Sequence, residues 1–171
     1  MGLNMYLTKT KKVEGFKVED YFKVDNVISD SNEIDLEKET GLQNANELLN
    51  QIKLRGKHFQ WYSIFSEVGY WRKANQIHKW FVDNVQNGID ECDAYIVTKE
   101  KLEELLHNTN EVLNDNSLCE KLIPSQGGFF FGSTNYDEYY FEDLKLTKEI
   151  LEKVLKETDF ETEVIFYRSS W

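Results

Sequence analysis

The amino-acid sequence predicts an α+β fold in a single domain covering residues 1–171, with three to four helices packed on a small antiparallel or mixed sheet. Three observations carry this. A chain of 171 residues has the length of one domain and can bury a sizeable core. Apolar side chains recur at helical spacing in residues 72–85, 98–114 and 136–157. Short β-favouring segments fall between and around those helices in mixed order, which indicates helices packed against a sheet.

Residues 5–11 (Met-Tyr-Leu-Thr-Lys-Thr-Lys) alternate and read as a strand. Residues 25–40 are rich in Asp, Glu, Asn and Ser; they are expected as an exposed loop or a marginal helix, not as a domain joint. Residues 42–54 set Leu42, Ala45, Leu48, Leu49 and Ile52 at helical spacing between Gly41 and Gly56. Residues 58–65 are aromatic-rich and predict a strand, broken off by Gly69. The spacing of Ala74, Ile77, Phe81 and Val85, widened by His78 and Val82, predicts a helix over 72–85 that stops at Asn87-Gly88. Residues 95–97 suit a short strand. Thr98 suits the N-cap of a helix reaching Asn114, with Leu102, Leu105, Leu106, Val112 and Leu113 inward. Residues 124–128, with the single proline at Pro124, read as a loop. Thr134 and Asp137 resemble a capping box ahead of a long helix over 136–157, whose inner face carries Tyr140, Leu144, Thr147, Leu151 and Val154. Residues 163–167 form a last strand, and the aromatic Trp171 predicts a docked C-terminus.

Composition removes several classes of function. The formal net charge is −11, and it is lopsided: residues 1–88 hold 12 basic and 12 acidic side chains, residues 89–171 hold 8 and 19. Binding to duplex nucleic acid is therefore not expected, because phosphate neutralisation needs clustered cations. No run of about 18 apolar residues exists, so no membrane span is expected. Residues 1–12 are polar and lysine-bearing, unlike a secretory signal, and the chain is expected in the cytoplasm. Cys92 and Cys119, 27 positions apart, are most simply free thiols. His58, His78 and His107 are too dispersed for a zinc site, and no metal or cofactor is expected. One island breaks the acidic pattern. Residues 53–79 carry Lys53, Arg55, Lys57, Arg72, Lys73 and Lys79 against a lone Glu67, and suit an anionic small molecule better than a polymer.

Three segments can carry chemistry. In residues 69–80, Arg72, Asn75 and Gln76 fall in the first turns of the expected helix, where backbone N–H groups and the dipole favour an anion. Arg72 adds a bidentate donor, and Tyr70 and Trp71 offer stacking faces. The competing reading makes Trp71 and Trp80 core anchors and His78 a hydrogen-bonded edge residue. In residues 127–137, a Gly-Ser-Thr turn (Gly132, Ser133, Thr134) at a helix start can present donors to an anion, though no Walker lysine follows. The plainer alternative is a core strand at Phe129–Phe131, a turn at Gly132 and a cap at Thr134. In residues 136–143, Asp137, Glu138, Glu142 and Asp143 suit either paired acid–base work or an acidic docking face. Asp137 and Glu138 are explained by the helix dipole; Glu142 and Asp143 lie beyond the first turn. No hydrolase elbow, zincin or dinucleotide fingerprint occurs.

Tyr70-Trp-Arg-Lys-Ala-Asn-Gln-Ile-His-Lys-Trp-Phe81 and Gly128-Phe-Phe-Phe-Gly-Ser-Thr-Asn-Tyr-Asp-Glu-Tyr-Tyr-Phe-Glu-Asp-Leu144 resemble small phage- and prophage-encoded proteins of unassigned function. The Met-Gly-Leu-Asn-Met-Tyr-Leu start and the Ser-Ser-Trp end are similar to the same group. The resemblance covers most of the chain outside residues 12–55. It implies a phage setting and an accessory role, such as evasion of a host defence, and it supplies no catalytic residues.

The expected function is binding of a small anionic, nucleotide-like ligand by Tyr70, Trp71, Arg72, Asn75, His78, Ser133, Thr134 and Arg168, with sequestration of a host defence signal as the role. The alternative partner is a basic host protein surface bound by the acidic half. A second alternative is a small hydrolase or transferase with His78 or Glu142 as acid–base residue.

Overall fold

Alternation in the sequence becomes a strand at once: Met5 and Leu7 of β1 (Asn4–Lys11) point into the core, and their neighbours Asn4, Tyr6 and Thr8 are half-buried. The computed structural model describes residues 2–28, 34–55 and 61–171. After β1 come α1 (Val18–Val27), α2 (Leu36–Thr40) and a 3₁₀ helix (Ala45–Gln51). Strands β2 (Lys53–Arg55), β3 (Trp61–Ser63) and β4 (Ser66–Arg72) follow, then α3 (Asn75–Asn84) and β5 (Tyr95–Val97). Next are α4 (Lys99–Asn114), a 3₁₀ turn (Asn116–Leu118), α5 (Cys119–Leu122), α6 (Glu138–Glu157) and β6 (Glu163–Ser170). The main sheet is antiparallel, with strand order β4-β1-β6-β5. The fold is α+β, as the sequence predicts. The chain groups into two compact units, taken here in turn.

The first unit comprises Met1–Leu7, Val68–Thr158 and Phe166–Trp171. Here α4 packs along α6. Leu102, Leu105 and Val112 on α4 and Tyr140, Leu144, Leu151 and Val154 on α6 are buried, the faces expected from their spacing. Thr98 caps α4 by accepting from Lys101 N, also as expected. The cap of α6 differs. Asp137, not Thr134, is the N-cap, and its carboxylate accepts from Tyr139 N and Tyr140 N. A carboxylate at that place satisfies two orphan donors and meets the positive end of the dipole.

The start of α3 needs a larger correction. The expected helix over 72–85 begins only at Asn75, and Gly69, Tyr70, Trp71 and Arg72 belong to β4. Gly69 does not break the chain. A Cβ there would come within 2.7 Å of Ile150 Cγ2, so the glycine lets α6 lie close on the strand. Lys73 makes the turn between strand and helix, at φ 62°, with its N–H donating to Leu3 O at 2.8 Å. Nor do Phe129–Phe131 form a strand. Phe130 is at φ 73°, Phe129 is 84% exposed, and only Phe131 is buried.

The second unit comprises Thr8–Glu67 and Asp159–Ile165. Helix α1 is absent from the sequence reading, because only Tyr21 and Val24 turn inward among ten residues that mix both charges. Its anchors are specific. Tyr21 Oη accepts from Val13 N at 2.8 Å, and Asp25 Oδ1 accepts from Ser63 Oγ and Ile64 N. The described part of 25–40 ends α1 and forms α2, capped by Asp35 and closed at Gly41. The helix expected over 42–54 is shorter and tighter: a 3₁₀ segment burying Ala45 and Leu48, three apart, before β2 pairs antiparallel with β3. Residues 58–60 of the expected strand, and Lys57 and His58 of the cationic island, lie outside the described residues.

Candidate functional site

The site grows from the Lys73 turn. Because Lys73 is left-handed, β4 ends on Arg72 and α3 begins three residues later at Asn75, so both exposed cations stand at the mouth of a helix start. Gly132, at φ 97°, packs on that turn, and a Cβ added to it would lie 3.2 Å from Lys73 O. Asn75 locks the opposing loop. Its Nδ2 donates to Ser133 O at 2.7 Å and Phe131 O at 3.3 Å, and its Oδ1 accepts from Gln126 N at 3.0 Å. Three bonds from one buried side chain hold residues 126–133 against α3.

Between these elements and the first turns of α6 opens a cleft of about 340 Å³, within the size range of small-ligand sites. Arg72 and Lys73 supply its cations, the buried Gln76 and half-buried Asp143 a hydrogen-bonded polar pair, and Ser133, Asn135 and Tyr139 also line it. Among the described residues, neither the Arg72 nor the Lys73 side chain is in an ion pair or hydrogen bond. The acid Asp137 also lines the cleft, but its carboxylate is engaged in capping α6. Gln76 is 2% exposed and donates from Nε2 to Asp143 Oδ2 at 3.0 Å. Burial raises the Asp143 carboxyl above its ordinary value; the Gln76 bond opposes this, and the charges of Glu142 and Asp137 add to it.

The structure divides the expected site residues. Arg72 and Ser133 converge on the cleft, and Asn75 stands directly behind it as the loop anchor. Tyr70 is half-exposed on β4, with its hydroxyl donating to Asn4 Oδ1 at 2.8 Å and its ring against Tyr6. Trp71 points to the other face of the same strand, is 1% exposed, and donates from Nε1 to Thr147 Oγ1. Alternation along a strand forces Trp71 away from the side that Tyr70 and Arg72 share. Thr134 is exposed and does not line the cleft, and Arg168 is exposed on β6 with its Nε donating to Cys92 O.

His78 is wholly buried and apart from the cleft. Its Nε2 lies 2.9 Å from Asp90 Oδ1 and its Nδ1 2.7 Å from Tyr167 Oη. A carboxylate can only accept, so Nε2 carries the proton and Nδ1 accepts from the phenol. Gln126 Nε2 donates to the second Asp90 oxygen. Burial lowers the His78 pKa, and Asp90 works against that shift. Burial likewise holds the Tyr167 phenol well above its ordinary value. This chain joins α3, β6 and the 85–94 loop, and every polar atom of His78 is used internally.

Sequence reasoning missed Asn135 and Tyr139, counted Lys73 only within the cationic island, placed Gln76 at the expected helix start without a role for its side chain, and gave Asp143 no ligand role. The usable signal for the last two was a buried amide beside an apolar stripe and an acid past the first helical turn. Among the described residues, no group of three or more His, Cys, Asp or Glu could hold a metal, and no helix is long and apolar enough to cross a membrane. Comparison with known protein families, curated proteins and solved structures finds no match to this chain.

Proposed function

We propose that this chain is an accessory protein that binds a small anionic, nucleotide-like molecule in the Arg72–Asp143 cleft. The observation that carries the reading is the pair of cations Arg72 and Lys73, uncommitted among the described residues, lining one hollow of ligand size together with the buried Gln76 and the half-buried Asp143. The phosphate sits at the cations, where a planar guanidinium grips two oxygens. Tyr139, mostly exposed, gives the ring a stacking face. The resemblance of residues 70–81 and 128–144 to phage and prophage proteins supports sequestration of a host signalling nucleotide in the cytoplasm as the role. Calorimetric titration with nucleoside monophosphates and cyclic nucleotides tests the reading. Binding that is lost in Arg72→Ala without a change in thermal midpoint supports it; no heat from any of them at high micromolar concentration ends it.

A second reading rests on a separate observation. Phe129 and Phe130 are exposed, ring against ring, in a chain whose residues 89–171 are strongly acidic. Such a surface suits a basic host protein, and its capture would weaken steeply with salt. The enzyme alternative finds less support, because His78 is sealed into internal bonds and Glu142 is exposed on α6 outside the cleft.

A further inference from the structure

We infer that the cleft takes the terminal phosphate monoester of an open-chain mononucleotide in preference to any phosphodiester, linear or cyclic. The assignment rests on the nucleotide reading above and names the kind of phosphate that reading requires. Acidic side chains outnumber basic ones by 31 to 20, and Lys9, Lys11, Lys79, Lys99, Lys101 and Lys148 are each ion-paired with a carboxylate. Arg72 and Lys73, consecutive and exposed, are in no such pair among the described residues, although two carboxylates line the same cleft. Both acids are engaged elsewhere. Asp137 Oδ1 accepts from Tyr139 N and Tyr140 N to cap α6, and Asp143 Oδ2 accepts from Gln76 Nε2. The cleft thus keeps its charges apart: its acids are held by their own bonds, and both its cations are left for a ligand.

Two cations call for two negative charges. A terminal phosphate carries about two at neutral pH and presents three unesterified oxygens. A guanidinium takes two of those oxygens in parallel, and an ammonium, a point charge, takes the third. A diester carries one charge and two unesterified oxygens. Gripped by Arg72, it leaves Lys73 with no charge to meet; shared between the two cations, it forfeits the bidentate grip. Neither cation has to be preset. Both side chains are long, exposed and unpaired among the described residues, so their charged ends can close on one group. Size points the same way. The cleft, about 340 Å³, lies at the lower end of small-ligand sites and suits one nucleotide rather than two.

The test is calorimetric titration of the full chain with the 5′-monophosphates of adenosine, guanosine, cytidine and uridine, each beside its 5′-phosphate methyl ester and its 3′,5′-cyclic phosphate. The methyl ester keeps the base, the sugar and the open chain, and loses one charge and one free oxygen. For each nucleoside that binds, the monophosphate is expected to be held about tenfold or more tighter than the methyl ester and the cyclic form, the effect of one charge-assisted hydrogen bond. Lys73→Met keeps most of the side chain's length and removes its charge. It should cancel most of that preference, leave the Arg72-dependent part of the affinity, and keep the thermal midpoint, since the Lys73 side chain has no partner among the described residues. Comparable affinity for the three forms, tighter binding of a methyl ester or a cyclic form, or a monophosphate preference that survives Lys73→Met overturns the assignment. Failure of every nucleotide in every form to bind removes the underlying reading instead, so the two failures are told apart.

Discussion

Gln76 and His78 stand two residues apart on α3 and are equally hidden, yet they do opposite things with their polar atoms. His78 spends both ring nitrogens on Tyr167 and Asp90, and Asp90 is held in turn by Gln126. Gln76, among the described residues, gives a single side-chain bond to Asp143 and lines a cleft. A buried polar side chain with every atom matched is a structural fastener. One left half-matched at the edge of a hollow is held ready for something else, because an unmade buried hydrogen bond costs more than a made one returns. The lesson is that burial alone does not separate the two roles; the partner inventory does.

The largest effect that can break this contrast is expected at His78. His78→Leu strips the acceptor from the Tyr167 hydroxyl and the donor from Asp90, and should destabilise the chain by about 2–4 kcal/mol. Urea denaturation monitored by tryptophan fluorescence reads it. Acid should act on the same fastener. Because the folded state disfavours protonated His78, its stability contribution is complete above the unfolded value of 6.5 and is lost as pH falls through and below it. His78→Leu should flatten that limb of the stability profile. A neutral His78→Leu that instead abolishes nucleotide binding would reverse the roles assigned to the two residues.

Binding is the next scale down. Arg72 is exposed and unpaired among the described residues, so Arg72→Ala should leave the thermal midpoint in place while weakening nucleotide affinity about 10–100-fold. Asn75→Ala makes an instructive partner. It removes three bonds to residues 126–133 and should lower stability and affinity together, since the loop that carries Ser133 loses its anchor. A midpoint shift in Arg72→Ala as large as that in Asn75→Ala would mean that Arg72 is structural too.

These two variants also show what sequence could and could not supply. Helices α4 and α6 and strands β1, β5 and β6 were legible because their apolar side chains keep one period, and burial rewards that period directly. Arg72, Ser133 and the importance of Asn75 came from charge and turn chemistry. The error over residues 69–74 was one of period. The helix expected over 72–85 takes in Arg72, whereas Tyr70, Trp71 and Arg72 lie on a strand, where Trp71 turns to the core and forms its bond to Thr147. Nothing local announces that Lys73 will take a left-handed turn, because the reason lies in Leu3 and Gly132, distant in sequence. Asp143 was visible as an acid without an excuse, but its pairing with Gln76 spans 67 positions and could not be read from spacing. Trp71→Phe checks the strand placement: losing one buried donor to Thr147 should cost about 1 kcal/mol and leave nucleotide affinity unchanged.

The smallest effect is the most direct probe of the half-matched pair. Burial raises the Asp143 carboxyl above 3.8, so the folded chain holds that proton more tightly than the unfolded chain. Protonation therefore favours folding, and Asp143 detracts from stability increasingly as pH rises from the unfolded value through the raised folded one. Asp143→Asn keeps the shape and removes the charge. It should be more stable than the parent at neutral pH, and the advantage should fade as pH falls toward 3.8. Urea midpoints of both proteins across that range decide it. An Asp143→Asn variant that is less stable at neutral pH would show that the carboxylate is fully compensated within the fold, and the distinction between Gln76 and His78 would lose its ground.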